Sequence, residues 1–217
     1  MEIEGQTTVE TWKRIMNTIL KHGKDYIDSD GRDCREILNF LMSIKNTEDI
    51  TLPVETMRNF EKWVYPEIEE IRDFILKREK GPSYLYVYGQ RIFNYNESID
   101  QIEDYIIPLL KKSPLSRRAV VSLWNPIFDS NTANQENPSI MNISFKMKDK
   151  KLELLFTIRS CELFFGWPTN VLQMHTIQRH IAEKLGCRTG SLTTFAFSAH
   201  LFLEHSDDIK KILKHPS

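Results

Sequence analysis

The run from Ile140 to Ile158 constrains the fold most tightly. Apolar and polar residues alternate along each arm, and a charged turn, Asp149-Lys150-Lys151, lies between the arms. A period of two predicts strands, and two such runs around a short polar turn predict a β-hairpin. A hairpin returns the chain to its starting point. Asn137-Pro138-Ser139 before it and Arg159-Ser160-Cys161 after it are therefore expected side by side. A hydroxyl next to a guanidinium suits an anionic ligand, because arginine offers a planar fork of charged donors.

Around the hairpin the chain reads as follows. Thr8 to Lys24 is predicted helical, with Val9, Trp12, Ile15, Ile19 and Leu20 at helical spacing, Thr7 or Thr8 as the cap and Gly23 at the end. Asp28 to Gly31 is a turn. Arg35 to Ile44 is predicted as a second helix, with Ile37, Phe40, Leu41 and Ile44 on one side. Asn46 to Pro53 reads as a connection, and Val54 to Lys80 as helical with a break near Pro66. Gly81-Pro82 closes this part, and Tyr84 to Tyr88 is a short aromatic segment. Ser98 and Gln101 form a capping-box pattern ahead of Ile99, Ile102, Ile106 and Leu109, with Pro108 interrupting or ending that helix. Ala119 to Trp124 is predicted as a buried strand and Asn125 to Glu136 as a polar loop. Asn170 to Leu185 is predicted as a helix behind Pro168, with Gly186 at its C′ position. Ser191 to Leu203 is the last strand and Ser206 to Leu213 a terminal helix. The expectation is one α+β or mixed α/β domain over 1–217, mostly helical in 1–80 and sheet-forming in 84–217.

Charge narrows the ligand class. Lys+Arg is 29 and Asp+Glu 30, a net charge of −1, so no bulk field draws the chain to nucleic acid or an anionic membrane. A bound phosphate would be held locally by a few placed arginines, which suits a nucleotide or metabolite. The acidic start Met1-Glu2-Ile3-Glu4 lacks the features of a signal peptide, and no apolar run approaches the ~18 residues of a spanning helix. A cytoplasmic protein is expected. Cys34, Cys161 and Cys187 show no CxxC spacing, so neither a disulfide framework nor a metal site is expected. Phosphate-loop, dinucleotide, metalloprotease and nucleophile-elbow motifs are missing from the sequence. Arg117 and Arg118 precede a strand and must point to opposite faces, so one serves the fold while the other reaches outward, or both are simply solvated. Asn170 follows Pro168 where an N-cap would also suit it. His200 and His205 are candidate ligands or bases, or merely half-buried. Glu162 beside Cys161 raises that thiol's pKa and argues against a nucleophilic role.

Taken in order, these segments resemble the thymidylate synthase family. Ser116-Arg117-Arg118-Ala-Val-Val-Ser-Leu-Trp-Asn-Pro looks like its Ser-Arg-Arg strand, and Pro138-Ser139 stands where the family has Pro-Cys. Arg159-Ser160-Cys161-Glu162 resembles its phosphate motif, Gly166-Trp167-Pro168-Thr169-Asn170 its Gly-Leu-Pro-Phe-Asn segment, and Ala199-His200-Leu201-Phe202 its His-Leu-Tyr segment. The resemblance runs from about Tyr84 to the C-terminus. Tyr86-Val87-Tyr88-Gly89-Gln90-Arg91 and the length look most like the short archaeal-type members.

The resemblance implies a three-layer α+β domain whose mixed sheet packs on its copy in a homodimer with shared active sites. It implies a pyrimidine nucleoside 5′-monophosphate, dUMP or UMP, as substrate and 5,10-methylenetetrahydrofolate as one-carbon donor, with a methyl or hydroxymethyl product. Arg159 of one chain and Arg117 and Arg118 of its neighbour would hold the phosphate, with Ser160 and Glu162 in the same motif. Asn170 would read the base edge, His200 and Phe202 would meet the sugar, and Ser139 and Tyr88 would stand at the catalytic centre. The chain departs from the pattern at Ser139, where the family's nucleophile is a cysteine, and at Phe202, which lacks the tyrosine hydroxyl. The family's glycine-rich arginine loop near the N-terminus is absent, and the sequence stops at Pro216-Ser217, short of the longer members' C-terminal tail. Three readings of Ser139 stand: an engineered change, a natural enzyme with altered chemistry, or a natural homologue that binds without catalysis.

Overall fold

A computed structural model describes residues 1–60, 62–81, 84, 86–134 and 136–214. The aromatic segment at Tyr84–Tyr88 is therefore described only in part, and Pro82 and Pro216-Ser217 lie outside the described residues. Seven strands form one mixed sheet: β1 (Glu2–Gly5), β2 (Lys24–Ile27), β3 (Asp33–Ile44), β4 (Val120–Ser122), β5 (Ile140–Lys148), β6 (Lys151–Glu162) and β7 (Arg188–Phe202). Their order is β1-β3-β7-β6-β5-β4, with β2 paired to β3 as well. The helices are α1 (Thr8–His22), α2 (Leu52–Arg58), α3 (Ile68–Leu76), α4 (Tyr88–Phe93), α5 (Ile107–Lys112), α6 (Pro126–Asp129), α7 (Gly166–Leu185) and α8 (Ser206–Lys214).

The hairpin forms as its period demands. β5 and β6 pair antiparallel from Ile140↔Ile158 to Lys148↔Lys151. Asp149 and Lys150 both take left-handed φ values, 50° and 59°, the conformation whose twist matches a two-residue hairpin turn. Leu152, Leu154, Phe156 and Ile158 face the core, as do Leu192, Thr194 and Ala196 of β7. α1 and α7 cover that face, and α2, α3, α5 and α8 pack outside them, which makes sheet, inner helices and outer helices three layers. The alternate residues, among them Val120, Leu155, Phe195 and Phe197, lie on the other face, which no helix covers among the described residues.

Arg35 to Ile44 is not a helix but the greater part of β3. Its apolar run satisfies both periods, and pairing decides between them. β7 lies along one side of it and β1 and β2 along the other. Phe40, Met42 and Ile44, all fully buried, then keep the period of two. The capping box at Ser98 does not form either. The Ser98 hydroxyl bonds Asn96 O, and Asp100 caps instead, accepting from Ile102 N at 3.0 Å and Glu103 N at 2.9 Å. The helix does not stop at Pro108. Gln101–Ile106 winds with the wider π spacing and runs directly into α5, the local adjustment that accommodates a ring lacking an N–H. α7 starts four residues earlier than the spacing predicts, taking Pro168 into its first turn.

Candidate functional site

The hairpin stem brings its two flanks together. Arg159 N donates to Ser139 O at 2.8 Å. The Arg159 guanidinium turns back over the loop, with Nε on Pro138 O and Nη2 on Asn137 O, both at 3.0 Å. Its side chain is exposed, and Nη1 has no partner among the described residues. From the other side, Tyr88 Oη accepts Ser139 N and Ile140 N, each at 3.1 Å. Tyr88 reaches this position because α4 lies tight against the end of α3: a Cβ on Gly89 would stand 2.3 Å from Lys77 O. No side chain among the described residues is hydrogen-bonded to the Ser139 hydroxyl, so no base is placed to activate it.

β6 and β7 supply the next layer, with Ser160 opposite Ser198 and Glu162 opposite His200. The Glu162 carboxylate accepts Phe164 N at 2.9 Å, Phe165 N at 2.6 Å and Gly166 N at 3.1 Å, and so caps α7. Burial pushes its pKa above the ordinary value, while these donors pull it back. With that cap in place Asn170, the fifth residue of α7, is not needed as an N-cap, and its half-buried amide has no hydrogen bond among the described residues. His200 is 6 % exposed, and its Nδ1 has no hydrogen-bond partner among the described residues. Burial lowers its pKa, so the ring favours the neutral form. The Phe202 ring packs edge-on to His200, with centroids 5.2 Å apart. Cys161 is buried, and burial, together with Glu162, raises its thiol far above its ordinary range, which removes it as a nucleophile. His205 belongs to a packing cluster with Trp63, Phe164 and Phe165.

One residue at this end escaped the sequence reading. Arg32 lies with its guanidinium carbon 3.2 Å from the Phe202 ring centroid and pairs with Glu204. The Asp28 carboxylate accepts Asp30 N and Arg32 N, at 2.9 and 2.8 Å, and this turn aims Arg32 at β7. The available signal was an aspartate two and four residues ahead of its turn partners, with a basic residue at the turn's exit.

Ser139, Tyr88, Arg159, Ser160, Glu162, Asn170, His200 and Phe202 thus collect at one end of the sheet. Arg117 and Arg118 do not. The Ala119 carbonyl accepts Phe145 N, so the two arginines lie beyond the sixth residue of β5 counted from Ser139. At ~3.3 Å per residue that is roughly 20 Å away. Both are exposed, and neither has a carboxylate partner among the described residues.

An α+β domain with an exposed arginine held against a loop serine at one end of a mixed sheet is the class that fold and site define. The chain belongs to the thymidylate synthase family, whose model matches residues 76–217. It is 31 % identical over 212 residues to a protein of Methanosarcina barkeri provisionally named as a thymidylate synthase, covering 98 % of this chain and 94 % of that one. A Methanocaldococcus jannaschii protein of the same provisional name is 29 % identical, over 96 % of this chain and 94 % of its own length. Thymidylate synthase 1 of Bacillus spizizenii is 33 % identical over 131 residues, 60 % of this chain and 46 % of that enzyme. The family is one of methyltransferase enzymes of nucleotide biosynthesis.

Proposed function

We propose that this chain binds a pyrimidine nucleoside 5′-monophosphate, dUMP or UMP, and transfers a one-carbon unit to C5 of the base. The observation that carries the reading is the exposed Arg159 fork beside Ser139, its Nη1 side open to an anion. Ser160 stands next to it. The unbonded Asn170 amide supports recognition of the base edge, and the partnerless His200 Nδ1 supports a bond to a sugar hydroxyl. Arg32, stacked on Phe202 and paired with Glu204, is a further guanidinium at this end. Arg117 and Arg118, far from their own chain's Ser139, serve the site of a second copy in a homodimer. Next to Asn170, Tyr65 Oη bonds Phe165 O and Thr169 Oγ1, and Trp63 packs edge-on to Phe165. This aromatic shelf fits methylenetetrahydrofolate, which would supply the one-carbon unit when bound.

A second reading rests on the bare Ser139 hydroxyl: a homologue that holds the nucleotide without turning it over. Tritium release from [5-³H]dUMP or [5-³H]UMP with methylenetetrahydrofolate, for the chain and for Ser139→Cys, separates the two. Release supports the transferase. Calorimetric binding without release from either protein leaves the binding reading. If neither nucleotide binds, both fall.

A further inference from the structure

The Asn137 carbonyl oxygen takes two donors from different parts of the chain. Arg159 Nη2 approaches it at 3.0 Å and Tyr86 Oη at 3.4 Å. Both lone pairs of that oxygen are therefore engaged, and the loop's position and the guanidinium's orientation depend on each other. Tyr86 is itself held. Its ring packs edge-on to Tyr88 with centroids 5.5 Å apart, and the guanidinium carbon of Arg91 lies 5.1 Å from its centroid. Arg91 is fixed in turn by a bidentate pair to Asp129, at 2.5 and 2.7 Å, and by a bond to Leu123 O at 2.7 Å. The side chains of that pair are only 11 % and 4 % exposed. Burial raises the Asp129 carboxyl, but Arg91 and the Asn125 N–H outweigh it and hold the group below its ordinary value. A buried, fully bonded pair of this kind has one good geometry, so it makes a rigid anchor for the ring stacked on it.

We propose that Tyr86, anchored by Arg91 and Asp129, is a positioning residue that sets the Arg159 guanidinium through their shared Asn137 carbonyl. The inference rests on the reading of Arg159 as the phosphate ligand. Tyr86 touches no ligand itself. Its removal loosens Asn137 O, frees the Nη2 contact and lets the guanidinium swing, which weakens recognition of a phosphate and leaves recognition of base and sugar alone.

Two readouts on Tyr86→Phe test this, with Asp129→Asn as a second variant that reaches Tyr86 through Arg91. In ¹⁵N–¹H spectra the Arg159 Nε–Hε signal, assigned by its loss in Arg159→Lys, is expected to shift or broaden in both variants. By calorimetry, Tyr86→Phe is expected to weaken dUMP about 3- to 10-fold, the scale of one hydrogen bond, with deoxyuridine unchanged. An Arg159 signal identical in wild type and Tyr86→Phe overturns the proposal, whatever the ligand results. So does an equal loss for dUMP and deoxyuridine, which marks a merely structural role. If wild type binds no monophosphate, the functional reading fails, and the spectra alone decide whether Tyr86 positions Arg159.

Discussion

Arg159 and His175 show how the same fold treats cationic side chains in opposite ways. Arg159 keeps two carbonyl bonds and an open edge, so its charge is fixed in direction and still available. Arg159→Lys keeps the charge but loses the planar fork and both of its carbonyl bonds. It is expected to lower dUMP affinity at least about tenfold with little change in thermal midpoint, as an exposed substitution should. Unchanged affinity in calorimetry would remove Arg159 from the site. His175 on α7 is the reverse case: burial first, then the charges of Arg179 and Arg72, lower its pKa from 6.5 to about 4. The ring is neutral in the fold, whereas the unfolded chain takes up a proton near pH 6.5. Between pH 6.5 and about 4 the unfolded state therefore binds more protons, and stability falls as the pH is lowered through that window. The loss assignable to this ring is about 1–2 kcal/mol after allowing for its partial exposure. Urea midpoints measured across the window should decline less steeply for His175→Gln than for wild type. Parallel declines would show that the ring contributes nothing to the acid sensitivity.

At the scale of elements, the period of a segment was legible where one pattern had no rival. The hairpin, α1, α7 and β7 announce themselves by strict spacing, and so do the residues that β6 and β7 bring to one end of the sheet. β3 was misread because Ile37 to Ile44 fits both periods and only its long-range partners decide. β1 and β2 escaped because they are four residues long and mostly exposed, which leaves no alternation to detect. Arg32 was missed with β2, since without the β2–β3 pairing nothing brings its turn to Phe202. The hairpin turn yields a test of its own. Lys150 holds φ 59° after Asp149 at 50°, and a side chain in the left-handed region costs roughly 1–2 kcal/mol that glycine avoids. Lys150→Gly is expected to stabilise the protein by about 0.5–1 kcal/mol, the gain left once glycine's greater freedom in the unfolded chain is subtracted. Lys150→Val should do the opposite. A urea midpoint that falls for the glycine variant at unchanged slope would contradict the turn geometry.

For the whole molecule, the uncovered sheet face and the displaced arginines bear on the same proposed homodimer. Val120 is 43 % exposed and Phe197 55 %, and Leu155 and Phe195 lie on the same face. On the β3 side of Leu155, Thr193 Oγ1 and Ser43 Oγ bond each other at 2.9 Å, so part of the polar surface of this face is already satisfied without water. A sheet face of that composition suits association, and the proposed homodimer would cover it with a second copy about a twofold axis. In the proposed dimer, the roughly 20 Å between Arg118 and Ser139 would become reach toward the partner's site. Phe197→Asp places a charge in the middle of the face and is expected to convert dimer to monomer in sedimentation at micromolar concentration, with monophosphate binding lost alongside. The sharper experiment is complementation. Arg159→Ala breaks a site from one side, and the double change Arg117→Ala, Arg118→Ala breaks it from the other. If each site draws on both copies, a co-expressed mixture contains hybrids in which one site has lost Arg159, Arg117 and Arg118 and the other has kept all three. Random pairing makes half of the dimers hybrid, so about a quarter of the wild-type dUMP sites should return, although each variant alone binds none. A mixture that binds no better than its components would show that Arg117 and Arg118 do not act across an interface.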